Sequence, residues 1–468
     1  MRPAAEAEKI GIPSVIVANS GFALLARITG KASGISDVRV AEYPGAIGID
    51  NQEKIKENIE KVLIKNIVDD LTREIADVKV ADIKTRWDPK ETVFTGNSKQ
   101  VNRYFFSHDW TDGLPVIPPT TERVEEFMQY VNCASDEEIA ILPPAHRKAV
   151  PWNIAVNGVM AGCEPFHMPI LMAAVRALGD QQYNLNNMGS TSGLLPYVLI
   201  NGPIIQQLGF ESGAQLISRG ANPVIGRAVG LIMKNIAGFS SGKNYMGTFG
   251  YPLVFTLAED EQGSPWESFH VEHGFDKDVS TVTLGVTNNW GPAPSPTSTS
   301  DKSGAQVVLD VLCREIAKKV RLYHFPGTGP HSEKAMLTLL LSAAMARALS
   351  ESGYTKQEVK EYLYENARLP LREFEWITKY TTAKERSSVR DKAKAGVFPA
   401  EYAGLPDDTV RLLCGPEIVH IIVCGDPNRN RIMSLEGGHA DPTTKQIALP
   451  ANWDDLVKKA SLADKTKD

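Results

Sequence analysis

Ile55, Ile59, Leu63, Ile67, Leu71 and Ile75 recur at three- to four-residue spacing, with alternating charges between them, and predict one long amphipathic helix. Two short apolar runs precede it. Ile12–Ala18 and Val38–Tyr43 have the length and β-branched content of buried parallel strands, with a helix over Gly21–Ile28 between them. Pro3–Lys9 reads as the last turns of another helix. Two strands with their helices make a poor independent sheet, because parallel sheets are normally wider and covered on both faces. Residues 1–85 are therefore expected to form an incomplete parallel α/β layer, with the chain opening in the middle of a domain.

Downstream, a Pro/Gly-rich connection covers 86–122, with 86–105 as linker and Thr120 or Thr121 capping a helix through Met128. From there the pattern alternates. Helices are predicted at 151–162, 168–179, 223–237, 265–273 and 303–319, and strands at 196–201, 252–258, 281–287 and 320–325. Asn222-Pro223 supplies a cap and a first-turn proline, and Ser264-Pro265-Trp266-Glu267 reads as a capping box. Gly291–Ser303 is a loop. A long helix is expected from near Pro330 to Ser352-Gly353, a second one capped by Thr355 and Glu358, and a buried strand over Glu417–Cys424. The fold class is α/β: the incomplete N-terminal layer, a large mixed α/β substrate domain over 106–330, and an α/β C-terminal region over 331–468.

Composition narrows the function. The chain has 468 residues, 43% hydrophobic and 23% charged, with net charge −6 and no basic stripe interleaved with aromatics, which argues against nucleic-acid binding. No apolar run reaches the roughly 18–20 residues of a membrane helix, and Met1–Glu8 lacks the apolar stretch of a signal peptide. Five cysteines, at 133, 163, 313, 414 and 424, are odd in number, widely spaced and without metal-finger spacing. Free thiols in a reducing, cytoplasmic compartment are the expectation, and the sequence requires no cofactor or metal.

Four constellations could carry chemistry. Trp152–Pro169 sets Asn153, Asn157, Cys163, Glu164 and His167 into an apolar segment; buried polar groups cost about 1–3 kcal/mol each unless paired, so a site wall is a candidate reading. Cys163 lies just ahead of the helix near Pro169, where a helix N-terminus would stabilise a thiolate, although a packed hydrophobe is what free cysteines usually are. Ser190 and Thr191 before one strand, and Arg219 and Asn222 before a helix, could hold an anion; no Walker or dinucleotide glycine motif is present. Glu259, Asp260, Glu261, Glu267, His270 and His273 gather carboxylates and imidazoles suited to general acid–base work rather than to a metal. Finally, Asp426–Arg431 and Gly437-Gly438-His439 follow a strand's end, where α/β sheets bind ligands and surface turns are also common.

Several motifs together resemble one family. Trp110-Thr-Asp-Gly-Leu-Pro-Val-Ile-Pro-Pro, Ile154-Ala-Val-Asn-Gly-Val-Met-Ala-Gly-Cys163, Leu199-Ile-Asn-Gly-Pro203, Ala221-Asn-Pro-Val-Ile-Gly-Arg227 and Ser264-Pro-Trp-Glu-Ser-Phe-His-Val-Glu-His look like the large domain accompanying the UGSC family. Glu8-Lys-Ile-Gly-Ile-Pro-Ser-Val-Ile-Val-Ala resembles the second half of that family's small α/β domain. The family is named for a selenocysteine (or Cys)-Gly-Ser-Cys motif, whose place would fall immediately before Met1. The motif is absent here, which the resemblance explains by a longer reading frame, a small partner subunit carrying the motif, or divergence.

The resemblance implies thiol or selenol chemistry at a carbon–heteroatom bond, as in the amino-acid reductases that the half-domain resembles. This chain would then be the substrate-binding part of an oligomer. Asn157 and Asn201 would donate hydrogen bonds, Arg219 or Arg227 would hold an anion, and His270 or Glu259 would move a proton. Cys163 would be a pocket residue or a second thiol. Two rival readings stand beside it: a redox-neutral hydratase or lyase using the Glu/His cluster, and a non-catalytic subunit completing a partner's sheet.

Overall fold

A computed structural model gives the fold; it describes all residues except 1, 33–34, 36, 47–49, 75–89, 190–192, 248–253, 290, 292–293, 320–335, 381–388, 437–441 and 466–468. The predicted strand at 320–325 and the Gly437-Gly438-His439 turn lie outside the described residues.

The N-terminal layer follows its pattern. Helix α1 (Arg2–Lys9) leads to β1 (Ile16–Asn19), α2 (Ser20–Ala32) and β2 (Val40–Tyr43), and the two strands pair in parallel with Ile16 opposite Val40. The long amphipathic stretch is helical in three joined pieces, α3 (Gln52–Asn58), a π-helical turn Ile59–Leu63 and α4 (Ile64–Thr72). Asn51 caps its start by accepting from the Lys54 N–H. Arg39 and Glu8 form a buried ion pair at 2.5 Å that ties α1 to the start of β2. With two strands the layer cannot bury all its apolar surface, and Ile10, Ile12, Val17 and Leu24 stay exposed.

The segment expected as linker contains α5 (Ser98–Ser107), started by a reciprocal Asn97–Gln100 capping box. Thr120 then caps α6 (Thr121–Met128). A short hairpin, β3 (Ala140–Leu142) with β4 (Arg147–Ala149), precedes α7 (Pro151–Ala161) and α8 (Met168–Leu178). After β5 (Leu195–Asn201) come α9 (Ile204–Gln207), α10 (Asn222–Ile232), β6 (Phe255–Ala258), α11 (Phe269–Glu272), β7 (Thr281–Thr287) and α12 (Gly304–Lys319). Every residue of β5, β6 and β7 is buried, so neither face of these strands is turned to solvent. Helix α10 lies close on β6: a Cβ on Gly226 would come within 2.2 Å of the Val254 carbonyl oxygen.

Two expectations are corrected here. Ser264–Glu267 does not start a helix: Ser264 Oγ accepts from the Trp266 N–H at 3.2 Å, a local turn, and helix is confined to the four residues of α11. Asn222 does not cap α10 from outside but is its first residue, and its amide clamps the Glu211 backbone instead.

The apolar run expected to lead a long helix is partly strand. β8 (Leu337–Leu341) is followed by the shorter α13 (Ala343–Glu351). A five-residue run of Leu and Thr fits helix or strand alike, and here it sits between two strand neighbours. The chain continues with α14 (Lys356–Asn366), β9 (Arg368–Pro370), α15 (Leu371–Tyr380), α16 (Val389–Lys394), β10 (Thr409–Arg411), β11 (Val419–Val423), β12 (Ile432–Glu436), β13 (Thr443–Gln446) and α17 (Trp453–Lys465). Thr355 and Glu358 make the predicted capping box on α14. β11 runs parallel to β8 and β12 antiparallel to it, giving the order β11-β8-β12.

The central sheet has the order β13-β7-β5-β6, with β5 and β6 parallel and the other pairs antiparallel. Its edge strand β13 comes from the last thirty residues of the chain, so the C-terminal region returns to the central sheet. Lys445 pairs with Asp180 at 2.6 Å and the Trp453 indole donates to Gln207 at 3.0 Å. Leu340, Ile422 and Leu435 join the same apolar core as α7, α8 and β5, whereas the cores of the N-terminal layer are separate. The fold is α/β with mixed sheets, as the pattern predicts.

Candidate functional site

Parallel strands β5 and β6 end side by side, with Ile200 paired to Ala258, and the next residue on each is polar: Asn201 and Glu259. The carboxyl ends of parallel strands are where open α/β sheets place their chemistry. The Asp260 N–H then donates to the Val423 carbonyl at 2.7 Å, which brings the end of β11 to the same place. Sequence separation hides this meeting; strand topology creates it.

Glu259 is 1% exposed and Asn201 and His270 are fully buried. Glu259 Oε2 accepts from Asn201 Nδ2 at 2.6 Å and from the Phe269 N–H at 2.8 Å, the first backbone donor of α11. Asn201 Nδ2 also donates to Glu261 Oε1 at 2.9 Å, and Gly202 N–H donates to the same oxygen at 2.7 Å. His270 Nδ1 lies 2.9 Å from Ser268 Oγ and 3.6 Å from Glu261 Oε1. Glu261 thus links the amide and the imidazole, a role its position two residues after Glu259 does not reveal.

Three buried polar atoms of this group have no hydrogen-bond partner among the described residues: Glu259 Oε1, Asn201 Oδ1 and His270 Nε2. Buried polar atoms are rarely left so, and a cluster of them on touching residues is where a ligand's hydrogen bonds would go. Burial pushes the Glu259 carboxyl up to about 7; Lys356, the Phe269 N–H and Asn201 pull it down, and Glu261 pushes it up further. A carboxyl with that value populates acid and base forms together at neutral pH, which suits proton transfer.

Lys356, missed in the sequence, holds the loop bearing Phe269 and His270. Its buried ammonium donates to the Glu267 carbonyl at 2.7 Å and to Glu272 Oε2 at 2.6 Å, while Lys360 reaches Glu272 Oε1 at 3.1 Å. The Trp266 indole donates to the Tyr354 carbonyl at 3.1 Å, a second tie to the C-terminal region. His273 does not share a working face with His270. It bonds the Phe269 carbonyl, stacks on the Phe269 ring at 4.0 Å, and is held below the ordinary imidazole range, chiefly by burial.

The other predicted site residues sit elsewhere. Asn157 Oδ1 accepts from Asn235 at 2.8 Å and its Nδ2 donates to the Asn153 carbonyl, on α7. Arg227 is engaged bidentately by Asp112 at 2.8 and 3.0 Å, so an anion held by its guanidinium would share it with that carboxylate. Arg219, exposed, faces Glu211 at 3.4 Å. Cys163 follows the C-terminus of α7, is buried, and donates to the Val224 carbonyl at 3.4 Å. Burial pushes its thiol far up rather than down, the reverse of the expected helix-terminus effect. Ser190 and Thr191 lie outside the described residues. The Asp426–Arg431 turn is closed by the Asn428 N–H donating to Asp426 at 3.0 Å and is tied outward, Asn430 Nδ2 donating to the Pro296 carbonyl and Arg347 to the Pro427 carbonyl at 3.2 Å.

Among the described residues no group of three or more His, Cys, Asp or Glu side chains is placed to hold a metal ion, and no helix is long and apolar enough to cross a membrane. The N-terminal layer, by contrast, carries a family signature. Residues 1–73 match the UGSC family. The UGSC match therefore spans α1 to α4 with their two strands and stops short of Asn201, Glu259 and His270. No curated protein and no solved structure matches the chain.

Proposed function

We propose that this chain is the substrate-binding, proton-transferring part of an enzyme that breaks a carbon–heteroatom bond in a small molecule, with Glu259 as the acid–base group. The observation that carries the reading is the buried Glu259 carboxyl with one unpartnered oxygen, at the strand ends beside the unpartnered Asn201 Oδ1 and His270 Nε2. In a redox-neutral elimination, the Glu259 carboxylate takes a proton from carbon, the bond to the heteroatom breaks, and the departing group takes the Nε2 proton of a His270 imidazolium, which is left as the neutral ring with its Nδ1–H toward Ser268. Ser268 fixes the imidazole by its hydrogen bond at Nδ1. Arg219 and Arg227, both paired with carboxylates, give no support to an anionic substrate.

A second reading is favoured by the UGSC match and by the exposed Ile10, Ile12, Val17 and Leu24 of the N-terminal layer. A partner subunit carrying the Cys/Sec-Gly-Ser-Cys motif would complete that layer and supply a thiol or selenol, while Glu259 handles protons. The test is a turnover screen of the purified chain, alone, over small hydroxy, amino and thio acids, with Glu259→Gln, Cys163→Ser and iodoacetamide-treated protein in parallel. Turnover that survives alkylation and Cys163→Ser but falls roughly 10²–10⁴-fold in Glu259→Gln supports the first reading. Turnover abolished by alkylation and indifferent to Glu259→Gln contradicts it. Turnover by the chain alone excludes dependence on a partner.

A further inference from the structure

The Asn201 amide has its orientation fixed by its surroundings. Nδ2 donates to Glu259 Oε2 at 2.6 Å and to Glu261 Oε1 at 2.9 Å, which uses both of its hydrogens. Turned over, the amide would point its oxygen at two carboxylates, so the buried atom without a partner is the oxygen, Oδ1. The Gly202 N–H, donating to the same Glu261 oxygen at 2.7 Å, anchors the arrangement at the end of β5. An amide oxygen accepts and never donates, so whatever meets Oδ1 must bring a hydrogen.

His270 makes the complementary demand. Its Nδ1 lies 2.9 Å from Ser268 Oγ and 3.6 Å from Glu261 Oε1, partners that place a hydrogen on that nitrogen. Nε2, buried and unpartnered, then donates when the ring is charged and accepts when it is neutral. A departing group that serves both residues must donate to Asn201 Oδ1 and accept the proton of His270 Nε2. Few groups do both. An ether or a halide has no hydrogen to give. An ammonium has hydrogens but no lone pair, and a thiol is weak in either direction. A hydroxyl has one donor and two lone pairs.

We propose, resting on the elimination described above, that the departing heteroatom is a hydroxyl oxygen: the centre releases water from a hydroxy compound, and Asn201 selects the leaving group. As Glu259 Oε1 takes the proton, the C–H electron pair becomes the double bond. The C–O pair stays on oxygen, which takes the Nε2 proton and leaves as water. Neutral Nε2 then accepts one O–H of that water while Asn201 Oδ1 keeps the other. Run backwards, the same groups add water to a double bond, and no oxidant or reductant enters in either direction.

Saturation-transfer NMR on the full chain tests it with β-hydroxypropionamide, β-methoxypropionamide, β-mercaptopropionamide and β-alaninamide, which share a skeleton and differ in the leaving group. The hydroxy amide is expected to bind roughly ten- to hundredfold more tightly than each of the others. Its binding must also shift the Glu259 carboxyl band in the infrared, a band missing from Glu259→Gln, which places it at this centre. Asn201→Leu, checked for native circular dichroism, should bring the hydroxy and methoxy amides to within about twofold. Should that variant fail to fold, the wild-type comparison decides alone. All four probes give acrylamide on elimination, a separate readout: acrylamide release retained by Glu259→Gln sinks the acid–base reading whatever the binding preference. Binding of the hydroxy amide no tighter than that of any other probe, an unmoved Glu259 band, or an unchanged preference in folded Asn201→Leu overturns the hydroxyl assignment.

Discussion

At the scale of single residues, Glu259 dominates because it is the buried acid whose environment favours the protonated form. Its carboxyl sits near 7 against an ordinary 4.5, so the folded state binds the extra proton between those values. Where the folded state holds more protons, stability falls as pH rises. The native form is therefore expected to lose on the order of 3 kcal/mol from this group between about pH 4.5 and 7, the loss being complete above the higher value. Glu259→Gln mimics the protonated acid and accepts the same two N–H groups. Its unfolding midpoint in urea should match wild type in mild acid and exceed it in mild alkali; a variant weaker in both would refute the assignment. Lys356→Met removes the nearest stabilising cation and should raise the Glu259 titration midpoint, whereas Lys356→Arg should leave it close to wild type.

Asn201, Glu259 and His270 were legible in the sequence as residue types. Their meeting was not, because a 58-residue separation between Asn201 and Glu259 is closed only by the parallel pairing of β5 and β6. Cys163 was the converse: prominent in sequence, and in the fold a buried thiol bonded to a carbonyl.

Among elements, apolar periodicity served the helices well and the shortest segments poorly. α7, α8, α10 and α12 fall where predicted, and β5 and β7 nearly residue for residue. β8 was absorbed into a helix because a five-residue Leu-Thr-Leu-Leu-Leu run fits either state, and its partners β11 and β12 lie some 80 residues away or more. The false capping box at Ser264 shows the limit of cap motifs: the same hydroxyl closes a turn when the following residues do not continue as helix. Two element-level outcomes can be measured. Thr355→Ala breaks the capping box of α14 and should cost about 1 kcal/mol by urea denaturation. Gly226→Ala drives a methyl against the Val254 backbone between α10 and β6 and should cost about 1–3 kcal/mol; an unchanged midpoint would mean the two elements are not so closely apposed.

For the whole molecule, the family match and the proposed reaction centre occupy different parts of the chain. Residues 1–73 match the UGSC family in a small layer with its own cores, while the strand ends at Asn201 and Glu259 belong to the central sheet. That sheet is completed by β13, and the loop bearing His270 is pinned by Lys356 and Tyr354, so the C-terminal region builds the centre from two sides. Thiol accessibility follows from the same architecture. Cys163 and Cys424 are buried and pushed far up, whereas Cys133, Cys313 and Cys414 are half-buried. Peptide mapping after iodoacetamide should find the buried pair labelled only once the chain is denatured; rapid native labelling of Cys163 would return it to candidacy as a nucleophile.

The most direct measurement is the titration of Glu259 itself, by infrared difference spectroscopy of the glutamate-labelled chain against Glu259→Gln. The account predicts a protonated carboxyl band, absent from the variant, that disappears with a midpoint near pH 7. A Glu259 carboxyl already ionised at pH 5 would contradict it.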